Sequence, residues 1–180
     1  PAEQARLLRP ATRYDLAAIS ILADQPVRLT DHAYYWTRGH EEDQAKRRGI
    51  IEWRTEVPPS WTEVILQGPH ITVATPFGKQ PNENCRHRQD YSPWDLETLA
   101  KDAIPRTNYQ RACDQATYVA DATHWSGRPA SDRFRHLHRA MTHPSLERSV
   151  HGAIVPPGPT HIHACSAYGF DTAIELGRWA

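Results

Sequence analysis

Short apolar segments that end at proline or glycine constrain the fold of this chain more than any other feature. The chain contains 15 prolines, and Pro58-Pro59, Gln67-Gly68-Pro69 and Pro156-Pro157-Gly158 all lie beside apolar segments. Proline fixes φ and lacks a backbone donor, so the elements between these points must be short and joined by stiff loops. Helical and strand patterns alternate without regular β-α-β spacing. This predicts an α+β fold with a mixed or antiparallel sheet, flanking helices and long proline-rich loops.

The spacing of apolar and capping residues predicts four helices before the C-terminal segment. Three cover residues 12–23, 40–48 and 93–101. The fourth begins at Ser131, and its Phe134, Leu137 and Met141 would form one buried face. A last helix would begin at Asp171.

Alternating and β-branched segments predict strands. The predicted strands are 50–54, 64–66, 70–75, 117–120, 148–155 and 160–166. Residues 76–92 show no periodicity and are predicted to be an exposed loop. We therefore expect polar residues of that loop to lie at the end of the 70–75 strand.

Length and composition set the class of protein. The 180 residues fit one domain, 1–180, and 39% apolar content with six tryptophans is enough to form its core. The chain begins PAEQ and stops at GRWA inside a predicted helix, so we expect a fragment of a longer protein. The three cysteines are irregularly spaced, which favours a reducing, cytoplasmic location over a disulfide framework. No signal peptide or membrane-length apolar segment is visible, so no membrane partner is expected.

Two segments carry the side chains that contact DNA in other proteins. The first lies within residues 79–88 and contains Lys79, Asn82, Asn84, Arg86, His87 and Arg88. The second lies within residues 105–111 and contains Arg106, Asn108, Tyr109 and Arg111. Arg and Asn match the hydrogen-bonding edges of bases, and Lys and Arg neutralise phosphates. A solvated surface loop, or for the second segment a structural loop with Tyr109 packed inside, explains the same residues.

The residues of these two segments divide by role. Lys79 and Arg88 are expected at phosphates, where a long cation suffices. Asn82, Arg86 and Asn108 are expected at base edges. The net charge of zero argues mildly against a free-standing nucleic-acid binder, whereas a fragment need not supply every phosphate contact.

The His-x-His-x-Cys sequence at His161, His163 and Cys165 is a candidate metal site. The three side chains would share one face of the predicted strand, and zinc would need a fourth ligand. The alternative is a half-exposed strand with polar outward positions, and we assign no metal. No Walker loop, Gly-x-Gly-x-x-Gly or Gly-x-Ser-x-Gly motif is present, so we assign no catalytic residue either.

Three stretches together resemble the C-terminal part of large adenine-specific DNA methyltransferases. They are VPPSWTEVILQGPHITVATPFGKQPNENC, DAIPRTNY and RFRHLHRAMTHPSLERSVHGAIVPPG. The resemblance spans roughly residues 30–165. It departs from the family at 75–79, where Asn-Pro followed by two aromatics and Lys is expected and Thr75-Pro76-Phe77-Gly78-Lys79 stands instead.

The resemblance implies a target-recognition region from a bacterial restriction-modification or phage-defence system. In that family the S-adenosylmethionine site and the catalytic loop belong to an upstream domain, so the cofactor would be absent from this fragment. The implied partners are double-stranded DNA and the upstream methyltransferase domain of the same chain. Two other functions remain open: a small metal-dependent hydrolase that uses His161, His163, Cys165 and Asp171, and a protein-interaction module of a defence complex.

Overall fold

A computed structural model describes residues 12–27, 31–72, 75–87, 90–141 and 150–179. The helices are α1 (Arg13–Ala23), α2 (Glu42–Arg47), α3 (Gln115–Asp121) and α4 (Ala173–Trp179). The strands are β1 (Tyr35–Thr37), β2 (Ile51–Glu56), β3 (Ile65–Leu66), β4 (Lys79–Pro81), β5 (Tyr91–Pro93), β6 (Thr107–Arg111), β7 (His124–Trp125), β8 (Arg128–Pro129), β9 (Arg135–Arg139), β10 (Gly152–Val155), β11 (Thr160–His161) and β12 (Cys165–Gly169). Helices combined with several antiparallel sheets confirm the α+β class. Within these ranges no helix has the length and apolar character needed to span a membrane.

The chain forms two compact units, residues 1–33 and 34–180. In the first unit, α1 begins at Thr12, whose Oγ1 accepts a hydrogen bond from the Asp15 N–H while the Asp15 carboxylate accepts one from the Thr12 N–H. This capping box confirms the helix predicted over 12–23. No residue of α1 is buried, so Leu16, Ile21 and Leu22 are exposed to solvent.

The second unit is organised around a four-stranded antiparallel sheet in the order β1-β12-β9-β10. The buried face of the sheet carries Leu137, Ala153 and Ala167, which pack with Val64, Leu66 and Ile71 in a first core. The other face, which we call the outer sheet face, carries a row formed by Trp36, Tyr168, His136 and Ile154, each paired with the next across the sheet. The strand β10 confirms residues 152–155 of the strand predicted over 148–155, whereas residues 150–151 belong to no strand; residues 142–149 lie outside the described ranges.

The helix predicted from Ser131 is wrong, because residues 135–139 form the strand β9. Leu137 is buried as predicted, but Phe134 and Met141 are exposed. The spacing of these three apolar residues fits a helix, yet β9 pairs on both sides, with β10 and β12. The backbone hydrogen bonds of β9 to its two neighbouring strands therefore outweigh the helical spacing of its apolar residues.

A second core lies under the β2–β6 pair and contains Ile51, Ile65, Tyr109, Tyr118 and Ile162. The helix α2 covers this core with Ala45 and ends before Gly49, whose φ of +68° fits the predicted stop. The strand β3 separates the two cores, since Val64 and Leu66 belong to the first and Ile65 to the second.

The strand predicted at 117–120 is wrong, because residues 115–121 form α3. The β-branched Thr117 and Val119 favour a strand. However, Asp114 caps a helix: its Oδ1 accepts from the Thr117 N–H at 2.9 Å, and its Oδ2 accepts from the Thr117 hydroxyl at 2.7 Å. Tyr118 then reaches the second core from the helix.

Residues 68–93 differ most from the prediction. A short 3-10 turn at 68–70 and an isolated bridge between Thr72 and Thr75 replace the strand predicted at 70–75; residues 73–74 lie outside the described ranges. Inside the predicted loop, β4 and β5 pair as a hairpin. Pro93 belongs to β5, and residues 94–101 form no helix, so the helix predicted over 93–101 is wrong.

The base of this hairpin is fixed by aromatic packing. Phe77 contacts Trp61 and Trp94 edge-on, with ring centroids 5.2 and 6.0 Å away. A Cβ added at Gly78 would stand 1.9 Å from Cγ2 of Thr72, so this position tolerates only glycine without movement of Thr72. Close packing against Thr72 therefore requires glycine at position 78.

Candidate nucleic-acid interface

The two segments predicted to contact DNA lie side by side. We call residues 79–93 the β4–β5 hairpin. Arg106, just before β6, donates its backbone N–H to Oε1 of Gln80 at 3.1 Å and a guanidinium N–H to the carbonyl of Pro81 at 3.2 Å. Its guanidinium also forms an ion pair of 3.1 Å with Glu83. Three contacts from one residue thus fix the hairpin against the start of β6.

The tip of the β4–β5 hairpin has internal hydrogen bonds that define its shape. The Asp90 carboxylate accepts from the backbone N–H groups of Arg86 at 3.0 Å and His87 at 3.3 Å. These hydrogen bonds lower the pKa of Asp90, although the carboxylate is exposed. Oδ1 of Asn82 accepts from the Ser92 hydroxyl at 2.6 Å and links the two sides of the loop. The loop is therefore preformed around its own polar side chains.

The predicted residues on the hairpin are exposed. Lys79, Asn82, Asn84, Arg86 and His87 are all solvent-accessible, and Arg88 lies outside the described ranges. His87 lies 3.4 Å from Asp90, whereas Lys79 and Arg86 form no ion pair within the part of the chain that the structure describes. Among the described residues, therefore, no carboxylate lies within ion-pair distance of either cation.

The predicted residues on β6 are engaged within the protein. Arg111 forms an ion pair of 3.4 Å with Glu63 and donates to the carbonyl of Cys113 at 2.8 Å. Asn108 is 1% exposed. Its Nδ2 donates to the Tyr91 hydroxyl at 3.0 Å and to Sγ of Cys85, while its Oδ1 accepts from the Thr55 hydroxyl at 2.9 Å.

This burial changes the roles expected from the sequence. A base contact needs a free amide edge, and both ends of the Asn108 amide are used inside the protein. Tyr109 is also fully buried, in the second core. Four consecutive polar or aromatic residues of β6 are buried because β2 pairs with the strand and because β3 and β4 lie against it. We therefore leave Asn108 and Tyr109 out of the exposed contact surface.

Asn108 and Tyr109 instead line a cleft of about 330 Å³ beside the hairpin, which we call the aromatic cleft. Trp53 and Tyr91 contribute two further aromatic rings. The polar and charged side chains at the cleft are Arg38, Glu42, Gln67, Arg139 and His163. Sequence reasoning missed this site because its lining comes from seven separate segments, and of the residues proposed beforehand for DNA contact only Asn108 and Tyr109 belong to it.

The His-x-His-x-Cys residues do not share a face. The strand predicted over 160–166 is divided into β11 and β12 by a turn at 163–164. His161 is buried, His163 accepts a hydrogen bond from the Glu42 N–H at 3.3 Å, and Cys165 lies in the first core. Asp171 contacts the Tyr35 hydroxyl and Arg133 instead. Among the described residues, no group of His, Cys, Asp and Glu has the arrangement of a metal site.

The β4–β5 hairpin and the adjoining aromatic cleft therefore form one composite candidate site. Tyr91 joins the two parts, because its ring lines the cleft while its strand belongs to the hairpin. Comparison of the chain with protein-family models, with curated proteins and with solved structures found no match.

Proposed function

We propose that residues 34–180 form a DNA target-recognition module of an adenine-specific DNA methyltransferase of a restriction-modification or phage-defence system. The module contacts duplex DNA with the β4–β5 hairpin. An upstream domain of the same protein binds S-adenosylmethionine and transfers the methyl group. The observation that carries the proposal is the packing of Arg106 against Gln80 and Pro81, which places both DNA-type segments at one site.

The exposed hairpin residues divide between affinity and specificity. Lys79 stands on β4 without an ion pair in the described residues, so it neutralises phosphate. Arg86 and Asn82 lie at the tip, where the Arg86 guanidinium and the Nδ2 of Asn82 meet base edges in the major groove, while Oδ1 of Asn82 accepts from the Ser92 hydroxyl. A preformed loop costs less conformational entropy on binding than a flexible one, which favours recognition by this segment.

The affinity of hairpin variants for duplex DNA tests this division between affinity and specificity. Lys79→Ala should weaken binding to every sequence and reduce the slope of log affinity against log salt concentration by about one. Arg86→Ala should reduce discrimination at one base position by about 1–3 kcal/mol. Lys101→Ala and Arg128→Ala remove the same charges from exposed positions outside the hairpin and serve as matched controls.

Fluorescence anisotropy at two salt concentrations, on a randomised duplex pool and on sequences selected from it, gives both quantities. If the hairpin variants bind no differently from their matched controls, the hairpin is not the contact surface. If the unmodified chain binds no duplex at all, the proposed function itself is refuted for this chain.

A protein-interaction module is the second candidate, because the outer sheet face exposes large apolar side chains. Trp36 and Ile154 on this face, and Phe134 just before β9, are each exposed by two fifths or more. Exposed apolar clusters of this kind occur at protein interfaces. If Trp36→Ser abolished assembly of the complex or its activity but left DNA binding unchanged, the result would favour a protein-interaction module over a DNA target-recognition module.

A further inference from the structure

The aromatic cleft has walls suited to a planar ring. Trp53 is 43% exposed, and its ring meets the buried Tyr109 ring edge-on with centroids 5.2 Å apart. About two fifths of the Trp53 side chain is therefore accessible to a stacking partner. Tyr91 adds a second aromatic surface, held in place by its hydroxyl, which donates to Gln67 at 2.5 Å.

The cleft also contains a buried donor without a well-formed hydrogen bond. Tyr109 is 0% exposed, and its hydroxyl approaches the Glu42 carboxylate but forms no hydrogen bond of ordinary geometry to a described residue. Burial raises the pKa of this phenol, and the contact with the Glu42 carboxylate raises it further, so the hydroxyl stays protonated and able to donate. A buried donor that is poorly paired costs a desolvation penalty, which a better placed ligand acceptor would reduce.

Arg139 provides the cation for an anionic ligand at the cleft. Arg38 also lines the cleft but forms an ion pair of 3.5 Å with Glu41, and the Glu42 carboxylate pairs with Lys46 at 3.3 Å. Arg139 donates from its Nε to the Ile71 carbonyl at 2.7 Å, and its other guanidinium N–H groups make no hydrogen bond or ion pair to the described residues. A volume of about 330 Å³ lies at the lower end of the range of small-ligand sites.

We infer that the aromatic cleft binds one unstacked nucleobase of a DNA strand, with the base on Trp53, an acceptor atom of the base at the Tyr109 hydroxyl and the adjoining phosphate near Arg139. The inference rests on the proposed function, since the strand would arrive over the β4–β5 hairpin. It differs from that function because the hairpin contacts duplex DNA, whereas the cleft needs a base outside the stack. Enzymes that modify DNA bases take nucleotides out of the duplex, and any unstacked base needs a surface to receive it.

Two single-stranded probes of equal charge, one with bases and one without, distinguish binding to a base from binding to the phosphate backbone. The probes are a fluorescein-labelled dT12 and a labelled 12-residue strand of abasic sites, and the readout is anisotropy with the full chain. Stacking of one base on an aromatic side chain changes affinity by about 5- to 150-fold. We therefore expect dT12 to bind more tightly than the abasic strand by a factor in this range.

Two variants locate the effect. Trp53→Ala and Tyr109→Phe should each reduce the preference for dT12 while leaving affinity for the abasic strand unchanged. Tyr109→Phe removes a hydroxyl that has no well-formed hydrogen bond and should melt close to the parent chain, so a folding defect would not mimic the result. Trp36→Ala is the matched control, because this tryptophan is 50% exposed but lies on the outer sheet face.

Equal affinity for the two strands, or an equal effect of Trp53→Ala and Trp36→Ala, would overturn the base-binding inference. In either case the duplex experiment with hairpin variants still decides the proposed function. If instead the chain binds dT12 through Trp53 but no duplex, the cleft inference stands and the proposed function falls.

Discussion

Asn108→Ala distinguishes a buried structural amide from a DNA-contacting one. The Asn108 side chain joins three segments, because it donates to Tyr91 on β5 and to Cys85 in the hairpin and accepts from Thr55 on β2. Two of these bonds have ordinary lengths, 3.0 and 2.9 Å. At about 0.5–1.5 kcal/mol each they contribute roughly 1–3 kcal/mol.

The cavity left by the amide adds to this cost. Loss of a small buried group contributes about 1 kcal/mol more, so we expect Asn108→Ala to lower the free energy of unfolding by about 2–4 kcal/mol. Urea unfolding followed by tryptophan fluorescence measures it, with circular dichroism as a second probe of two-state behaviour. Asn84→Ala is the control: Asn84 is exposed on the hairpin and should change stability by less than about 0.5 kcal/mol.

If Asn108→Ala lowered the free energy of unfolding by less than about 1 kcal/mol, this reasoning would be refuted. It would mean that the amide is not held as the structure places it. If the variant then also lost preference for one base in the duplex assay, the original prediction of a base contact would be restored.

Three other predictions concern the core, acid stability and the cofactor. Leu137→Ala should cost on the order of 2–5 kcal/mol in urea unfolding, because Leu137 is 1% exposed, while Phe134→Ala and Met141→Ala should each cost less than about 1 kcal/mol. Burial, aided by the charge of Arg135, lowers the pKa of His161 from 6.5 to about 3, so the unfolded chain binds a proton that the folded chain does not, and stability should fall as pH decreases from 6.5 towards 3. His161→Gln should flatten this decline in unfolding curves measured between pH 7.5 and 4.5, and an unchanged slope would contradict the assignment. Calorimetric titration with S-adenosylmethionine should give no binding, since no glycine-rich cofactor loop is present, and a micromolar Kd would contradict this.

Local signals predicted the elements whose ends are fixed by nearby residues. The capping residue Thr12 and the positive φ of Gly49 both act within one helical turn, so the helices α1 and α2 are visible in the sequence. Asp114 acts over the same distance, but the β-branched residues after it obscured the signal. The α+β class followed from the short mixed segments, which do not depend on the exact ends of each element.

Distant contacts decide the elements that the sequence did not predict. The strand β9 has neighbours on both sides, and the β4–β5 hairpin is held by Arg106 and by packing around Phe77. None of these partners is adjacent in sequence, so local periodicity carries no information about them.

The candidate site was visible only in part for the same reason. Composition found the two polar segments, and they do lie together. It could not separate exposed Arg86 from buried Asn108, because both occur in polar surroundings along the chain. It also gave no indication of Trp53 and Tyr91, whose importance arises from the cleft that they share with Tyr109.

The position of β3 between the two cores also governs when the protein can fold during synthesis. Its parallel partner β11 pairs Ile65 with Thr160, and β1 pairs Tyr35 with Gly169. Neither core is complete until these late residues have left the ribosome, so nearly the whole second unit must be translated before it folds. Contacts this far apart in sequence also slow folding, because a long loop must close before any of them forms. The nascent chain therefore keeps β3 unpaired at least until residues 160–161 have been translated, a state in which chaperones would bind it and from which it would aggregate.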